Sequence, residues 1–129
     1  MDPIADLLTR LRNANMARHR FVDMTHSKMK ESIVKLLKEK GYIAHYLIKE
    51  VKGIGTIRVF LKYDNERNPV INGLRRVSKP SLRRYVSYKE IPYVLGGVGT
   101  VIMSTPKGLV DGKSARQQKV GGEVVAYVW

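Results

Sequence analysis

Cysteine is absent from the 129 residues of this chain. Its absence excludes disulfide bonds, thiolate metal sites and cysteine nucleophiles. Long apolar runs are also lacking, and none approaches the roughly 20 residues of a membrane-spanning helix. Because residues 1–4 are not a basic stretch followed by an apolar one, we expect no secretory signal. These absences predict a soluble, cytoplasmic protein without a membrane partner.

Acidic residues are scarce relative to basic ones. The chain has 11 Asp and Glu against 24 Lys and Arg, which gives a net charge of +13 and a pI near 10.2. Such an excess repels itself in a compact protein, so a polyanionic partner is the natural reason to keep it. Phosphate backbones of nucleic acids are the obvious candidate. Hydrophobic residues still make up 43% of the sequence, enough to form a buried core.

Catalytic motifs are lacking as well. The histidines do not have the spacing of a metal-binding helix, and Ser104 has no Gly-x-Ser-x-Gly context. The glycines at 53–55 and 97–99 lack the third glycine of a dinucleotide loop and favour turns. We therefore expect no enzymatic activity, no cofactor and no metal site. A nucleic-acid enzyme is the alternative, and it would need the scattered carboxylates to form a cluster.

The first half of the sequence has the periodicity of two helices and a hairpin. Asp2-Pro3 favours the start of one helix, and Ser27 can cap a second helix that stops at Gly41. Runs 42–49 and 56–63 favour paired strands, and a weaker strand is predicted at 21–24. The second helix is expected to bury Met29, Ile33, Leu36 and Leu37.

The second half changes character after a polar stretch, 64–69, which is the best candidate linker. It predicts strands with one short helix at 111–119; the predicted strands are 82–88, 100–105, 108–110 and 123–128. The whole pattern predicts an α+β fold. Residues 1–66 would form an N-terminal α/β domain with two helices on a small sheet, and residues 67–129 a mostly-β C-terminal domain with one short helix.

A basic stretch opens the predicted second domain. Residues 67–89 contain seven basic residues and no acid, and Tyr85 and Tyr88 are interleaved with them. Basic side chains neutralise phosphates, and tyrosine rings stack on unpaired bases. A solvated charged face is the alternative interpretation, but the absence of acids favours nucleic-acid contact. A DNA-binding architectural protein would predict a dimer or a helix-turn-helix, and neither pattern is evident.

Two further segments carry hydroxyl groups and glycines. In Ser104-Thr105-Pro106-Lys107-Gly108 the hydroxyls can donate to phosphate or sugar, or they can bond their own backbone in a simple turn. The sequence leaves both interpretations open. Gly121-Gly122 would allow a close backbone approach, although a turn is favoured.

Polar residues on the two predicted helices form a third group. Thr9 and Asn13 lie opposite the apolar stripe of the first helix, and Arg12 flanks them. Lys28 and Lys30 lie in the first turn of the second helix, where the helix dipole disfavours cations. This placement indicates that something other than helix stability requires those two charges.

Taken in order, these segments resemble the bacterial form of ribosomal small-subunit protein eight. Five motifs carry the resemblance over nearly the whole chain, and together they are specific, although each alone is weak. They are residues 2–14, Ser27-Lys28-x-Lys30, Ser78-Lys79-Pro80 with Leu82-Arg83-x-Tyr85, Ser104-Thr105 with Lys107-Gly108-Leu109, and Ala115-Arg116 with Gly121-Gly122-Glu123.

The resemblance implies a structural constituent of the small ribosomal subunit. Such a protein binds the central domain of the small-subunit rRNA directly, helps to assemble it, contacts neighbouring ribosomal proteins and is a monomer when free. Bacterial members of the family also bind their own messenger RNA as translational repressors, and the sequence leaves open whether this chain does.

Matching positions carry the family's RNA-binding residues onto this chain. In the C-terminal domain they would be Ser104, Thr105, Lys107, Gly121, Gly122 and Glu123, together with Lys79, Arg83, Arg84, Tyr85 and Arg116. In the N-terminal domain they would be Thr9, Arg12, Asn13, Lys28 and Lys30. The chain departs from the family at Pro106, where a serine is usual, so one hydroxyl and one backbone donor are lost there.

Overall fold

The computed structural model describes residues 2–129 and divides into two compact units. Unit 1 is Pro3–Asn72, and unit 2 is Gly73–Trp129 together with Asp2. The predicted boundary after residue 66 lies inside unit 1, and residue 1, where the predicted first domain begins, lies outside the described residues.

The predicted linker folds back onto unit 1. Tyr63 forms an isolated β-bridge with Pro69, and the amide of Val70 donates to the carbonyl of Lys62 at 3.0 Å. Ile71 follows as a buried core residue. Because these contacts attach the segment to the preceding strand, it is an ordered loop of unit 1.

Two helices of unit 1 were correctly predicted. Helix α1 is Pro3–Met16 and helix α2 is Lys28–Glu39, capped by Ser27, whose hydroxyl accepts from the amide of Lys30 at 3.1 Å. Such a cap satisfies one of the free amides of a first turn. The predicted apolar stripe of α2 was wrong at one position, because Met29 is 39% exposed. The buried residues of α2 are Lys30, Ile33, Val34, Leu36 and Leu37.

An antiparallel three-stranded sheet completes unit 1. Its strands are β1 (Phe21–Thr25), β2 (Ile43–Val51) and β3 (Ile54–Leu61), in the order β1-β3-β2. The turn of the predicted β2–β3 hairpin contains Lys52 and Gly53, both with positive φ. Ile57 and Val59 are fully buried, so one face of β3 belongs to the core of unit 1, and the helices contact its neighbours, α1 against β1 and α2 against β2.

Unit 2 is a five-stranded antiparallel sheet with one α-helix and two short 3-10 helices, Tyr88–Glu90 and Leu95–Gly97. Its strands are β4 (Leu74–Arg76), β5 (Tyr85–Val86), β6 (Thr100–Thr105), β7 (Gly108–Asp111) and β8 (Gly122–Val128), and helix α3 is Gly112–Gln118. The order is β4-β8-β6-β7, and β5 also pairs with β8. Together the two units confirm the α+β fold class.

Two local predictions in unit 2 were wrong. The expected strand 82–88 is reduced to β5, because Leu82 pairs with Lys79 across a tight turn and a 3-10 helix begins at Tyr88. Gly121-Gly122 is not a turn, since Gly122 begins β8.

The core of unit 2 lies between α3 and one face of the sheet. It comprises Ile91, Val94, Val101, Met103, Ala115 and Val124. Trp129 packs against this core, and a Cβ on Gly73 would overlap its ring. The backbones of these two residues also exchange hydrogen bonds of 3.0 and 3.1 Å. Gly73 therefore provides the space that the indole ring occupies.

Candidate nucleic-acid interface

Three of the predicted RNA-binding residues form a row across the sheet of unit 2. Glu123 on β8 is the direct cross-strand partner of both Ser104 on β6 and Tyr85 on β5. Directly opposed residues project from the same face of a sheet, and successive residues project from opposite faces. Because Met103 and Val124 belong to the core of unit 2, the polar row lies on the opposite face of the sheet, where it follows the buried pair Ile102 and Ala126. Tyr85 is 70% exposed, so most of its ring is accessible.

An ion pair connects the row to the basic stretch. The Nη1 of Arg83 donates to the Oε2 of Glu123 at 3.0 Å. This hydrogen bond, reinforced by the charge of the carboxylate, raises the pKa of Arg83. The Glu123 side chain is only 15% exposed, whereas that of Arg83 is 49% exposed. The carboxylate therefore orients the arginine and leaves its other nitrogens accessible to a ligand.

A buried hydroxyl closes the base of the loop that carries the basic residues. The Oγ of Ser78 accepts from the amide of Arg84 at 2.9 Å and donates to the carbonyl of the same residue at 3.4 Å. Ser78 is fully buried, whereas Lys79 and Arg84 are exposed. Sequence reasoning gave Ser78 no role of its own, since one serine in a polar stretch carries no signal for such a contact.

The β6–β7 turn separates the roles of its two hydroxyl residues. The Oγ1 of Thr105 donates to the carbonyl of Gly108 at 2.8 Å and accepts from the amide of Lys107 at 3.1 Å. Thr105 thus stabilises its own turn, the simpler of the two interpretations that the sequence left open. The hydroxyl of Ser104 has no hydrogen-bond partner within residues 2–129, and Ser104 is partly exposed. Lys107 is exposed at the tip, beside Gly108, whose φ is +105°.

Gly121 and Gly122 allow close contact with neighbouring strands of the same unit. A Cβ on Gly121 would overlap the carbonyl oxygen of Val86, and one on Gly122 would overlap that of Ser104. The two glycines therefore allow β5 and β6 to approach the start of β8 from either side. Their effect on the row is indirect, because they bring Tyr85 and Ser104 next to Glu123.

Arg116 is not brought together with this row. It belongs to α3, which packs through Ala115 on the core face of the sheet, opposite the polar row. Its guanidinium carbon lies 4.0 Å from the centre of the Tyr93 ring, and its Nη1 donates to the carbonyl of Ile91 at 3.4 Å. These contacts give Arg116 a packing role.

Lys30 is a correction to the predicted N-terminal contacts. It is only 6% exposed, and its Nζ donates to the Oδ2 of Asp6 at 3.0 Å and to the carbonyl of Thr25 at 3.2 Å. The hydrogen bond from Lys30 is the main reason why the pKa of Asp6 is lowered. Lys30 therefore connects α2 to α1 and β1, and its charge in the first turn serves an ion pair in which the ammonium group is buried and the Asp6 carboxylate is partly exposed.

The remaining N-terminal candidates lie on the surface of unit 1. Thr9, Arg12 and Asn13 are exposed on α1, and Lys28 is exposed at the start of α2. Within the described part of the chain, no group of three or more histidine and acidic side chains is arranged to hold a metal ion. None of the helices in residues 2–129 is long and apolar enough to cross a membrane.

Comparison with known proteins gives matches over nearly the whole length of the chain. The family model described as "Ribosomal protein S8" matches residues 2–129. A protein named "Small ribosomal subunit protein uS8" from Chlamydia pneumoniae is 56% identical over 128 residues, which cover 99% of this chain and 96% of that protein. The protein of the same name from Protochlamydia amoebophila (strain UWE25) is 50% identical over 129 residues, with coverage of 99% and 97%.

Proposed function

Because the chain belongs to the ribosomal protein S8 family, we propose that it is a structural constituent of the small ribosomal subunit that binds the subunit's RNA directly. The family is one of structural proteins and not of enzymes, and its place is the ribosome in the cytoplasm. The observation that carries the RNA-binding part is the row of Tyr85, Glu123 and Ser104 beside a loop rich in cations.

Each group on this surface has a distinct task. Lys79, Arg84 and Lys107 are exposed cations that neutralise phosphates and make the affinity depend on salt. The exposed ring of Tyr85 offers a stacking face for an unpaired base. The hydroxyl of Ser104 is free to exchange hydrogen bonds with a sugar or a base edge.

Shape selects the RNA in this proposal. The major groove of regular A-form RNA is too deep and narrow for side chains to read. The row of Tyr85, Glu123 and Ser104 suits an irregular RNA helix. An unpaired base of such a helix would stack on Tyr85, while a neighbouring sugar would form a hydrogen bond with Ser104. The Glu123 carboxylate does not bind RNA in this scheme, since it holds Arg83 in position for a phosphate.

Unit 1 is proposed to contact a second RNA segment. Thr9, Arg12, Asn13 and Lys28 are its exposed candidates. Binding by both units would fix two RNA elements of the central domain during assembly, with the free protein as a monomer and neighbouring ribosomal proteins joining later. A messenger segment that folds like the rRNA site would compete for the surface of unit 2, which is the physical basis for repression of the protein's own operon.

Substitution of the free hydroxyl tests the proposal. Footprinting of the purified protein on small-subunit rRNA first defines the cognate segment. Ser104→Ala should then weaken binding to that segment about three- to tenfold, the effect of one lost hydrogen bond. Binding to a random structured RNA and the salt dependence should stay unchanged. Ser114→Ala, on α3, is the matched control, because Ser114 is also partly exposed and its hydroxyl has no hydrogen-bond partner within residues 2–129. Equal losses toward both RNAs, or none toward the cognate one, would contradict the assignment.

A further inference from the structure

A cavity of about 230 Å³ in unit 1 is lined by three arginines. Its walls are Arg18, Arg20, Leu61, Tyr63 and Arg67. None of these residues belongs to the RNA interface proposed above. The arginines come from two separate segments, the one that follows α1 and the one that follows β3, so the cavity exists only in the folded unit.

The backbone of both segments is held in an uncommon conformation. Arg18 has φ +54° and Arg67 has φ +65°. At Arg18 this is the left-handed residue that commonly ends a helix: its amide donates to the carbonyl of Asn15 at 3.1 Å, and the amide of His19 donates to that of Ala14 at 2.9 Å. Arg67 lies in a tight loop, in which the Oδ1 of Asp64 accepts from the amides of Glu66 and Asn68 at 2.8 and 2.9 Å.

Side chains then tie the two segments together. The hydroxyl of Tyr63 donates to the carbonyl of His19 at 2.5 Å, and the Nε of Arg18 donates to the carbonyl of Arg67 at 3.2 Å. Burial raises the pKa of Tyr63, and a tyrosine hydroxyl is in any case a donor at neutral pH. The cavity is therefore formed before any ligand arrives, which lowers the entropic cost of binding.

The charge of the cavity is unbalanced. Among the described residues, no carboxylate lines it, and the nearby Asp64 uses its carboxylate to accept backbone amides. The end of α1 favours one cation, which accounts for Arg18. It does not account for Arg20 and Arg67, whose side chains have no ion-pair or hydrogen-bond partner within residues 2–129. Three like charges around one space repel each other, and a bound anion would relieve that repulsion.

We propose that this cavity binds a phosphate group. The planar guanidinium fork offers paired donors that match the oxygens of phosphate. The cavity is several times larger than the roughly 30 Å³ that a water molecule occupies in the liquid, so it has room for a phosphate group. Two sources share this chemistry: a phosphodiester of RNA, which rests on the proposed function, and a small free anion such as inorganic phosphate.

Thermal unfolding of the full chain provides the first test. Sodium phosphate is compared with sodium chloride at equal ionic strength, so that general screening is the same in both. Arg20→Gln with Arg67→Gln removes two of the three charges without breaking a hydrogen bond of the cavity, because Arg67 accepts through its backbone. Lys35→Gln with Lys113→Gln, both exposed, is the control with the same change in net charge.

The expected result is a midpoint that rises with phosphate beyond its rise with chloride in the native and control proteins. In the arginine variant the apparent dissociation constant for phosphate should increase by at least about tenfold, the effect of losing one charge-assisted hydrogen bond. Equal responses to phosphate and chloride in the native protein, or equal losses in the arginine and control variants, would overturn the proposal.

RNA binding by the same proteins identifies the source of the phosphate. If RNA occupies the cavity, the arginine variant lowers the slope of log K against log salt by about 0.7–0.9 for each lost phosphate contact. If a small anion occupies the cavity, the arginine variant has the same salt slope of RNA binding as the native protein, although phosphate still raises the unfolding midpoint of the native protein more than that of the variant. Ser104→Ala should retain the phosphate effect in full, so failure of the RNA interface and failure of the phosphate site are distinguishable.

Discussion

Substitution of Glu123 separates two opposite effects of one carboxylate on RNA binding. Its negative charge repels phosphates, whereas its Oε2 holds the Nη1 of Arg83 at 3.0 Å. Glu123→Gln removes the charge and keeps an amide oxygen as acceptor, whereas Glu123→Ala removes both. The two variants have the same net charge, so a difference in their RNA affinity reports on the orientation of Arg83.

The expected difference in RNA affinity between the two variants follows from the one phosphate contact that Arg83 is proposed to make. One arginine loses its fixed orientation in the alanine variant, and one charge-assisted contact to phosphate corresponds to a change on the order of tenfold in the dissociation constant. Because Arg83 is half-exposed, we expect the change in the dissociation constant to lie at the lower end of the range for charge-assisted contacts. Filter binding at one salt concentration, with the cognate rRNA segment and a random structured RNA, measures both affinities.

The glutamine variant sets the reference. It should bind the cognate segment as tightly as the native protein or slightly more tightly, since a repulsive charge is gone and an acceptor remains. The alanine variant should bind that segment about tenfold more weakly than the glutamine variant, with little difference toward random RNA. If both variants bound the cognate segment equally, the positioning role of Glu123 would be refuted.

Three further predictions concern stability and charge. Ser78→Ala should lower the free energy of unfolding by about 1–3 kcal/mol in urea denaturation, because it removes the buried partner of the Arg84 backbone. Lys30→Met should lower it by roughly 2 kcal/mol, because it removes the charged donor to Asp6 and to the carbonyl of Thr25. Because the pKa of Asp6 is lowered, the stabilisation by this ion pair is present above the ordinary pKa of an aspartate and is lost as pH falls through the lowered value. The free energy of unfolding of Lys30→Met should therefore fall less on acidification than that of the native protein. Arg84→Gln should reduce the salt slope of RNA binding by about 0.7–0.9, with an unchanged unfolding curve.

Local patterns in the sequence predicted the elements whose determinants are local. The apolar spacing of α1 and the cap at Ser27 depend on residues within one or two turns, and both helices were confirmed. The β2–β3 hairpin was also confirmed, because its turn residues lie between its strands. The α+β class followed from these elements.

Features that depend on distant partners could not be predicted. Lys30 pairs with Asp6, 24 positions away, so its charge resembled that of a surface contact. The close approach of Gly122 to Ser104 requires the pairing of β8 with β6. The segment after β3 resembled a linker because the contacts of its Asp64 loop are hydrogen bonds that composition does not encode.

The candidate site was predicted in part. Tyr85, Ser104 and Glu123 lie together in the fold, whereas Arg116 lies on the other side of the same sheet. The hydroxyls of Ser104 and Thr105 are adjacent in sequence and chemically similar. Only the turn geometry distinguishes the one that stabilises the fold from the one that is free.

The strand order of unit 2 has a consequence for synthesis of the chain. Strand β8, the last of the unit, pairs with β4, β5 and β6, so the sheet lacks its centre until residues 122–128 have left the exit tunnel of the translating ribosome. Unit 1 has all its strands by residue 61 and folds earlier, in keeping with folding from the amino end during translation. Nascent chains arrested before β8 would therefore carry a folded first unit and no assembled row of Tyr85, Glu123 and Ser104, and the protein becomes competent for that contact only after residues 122–128 have emerged.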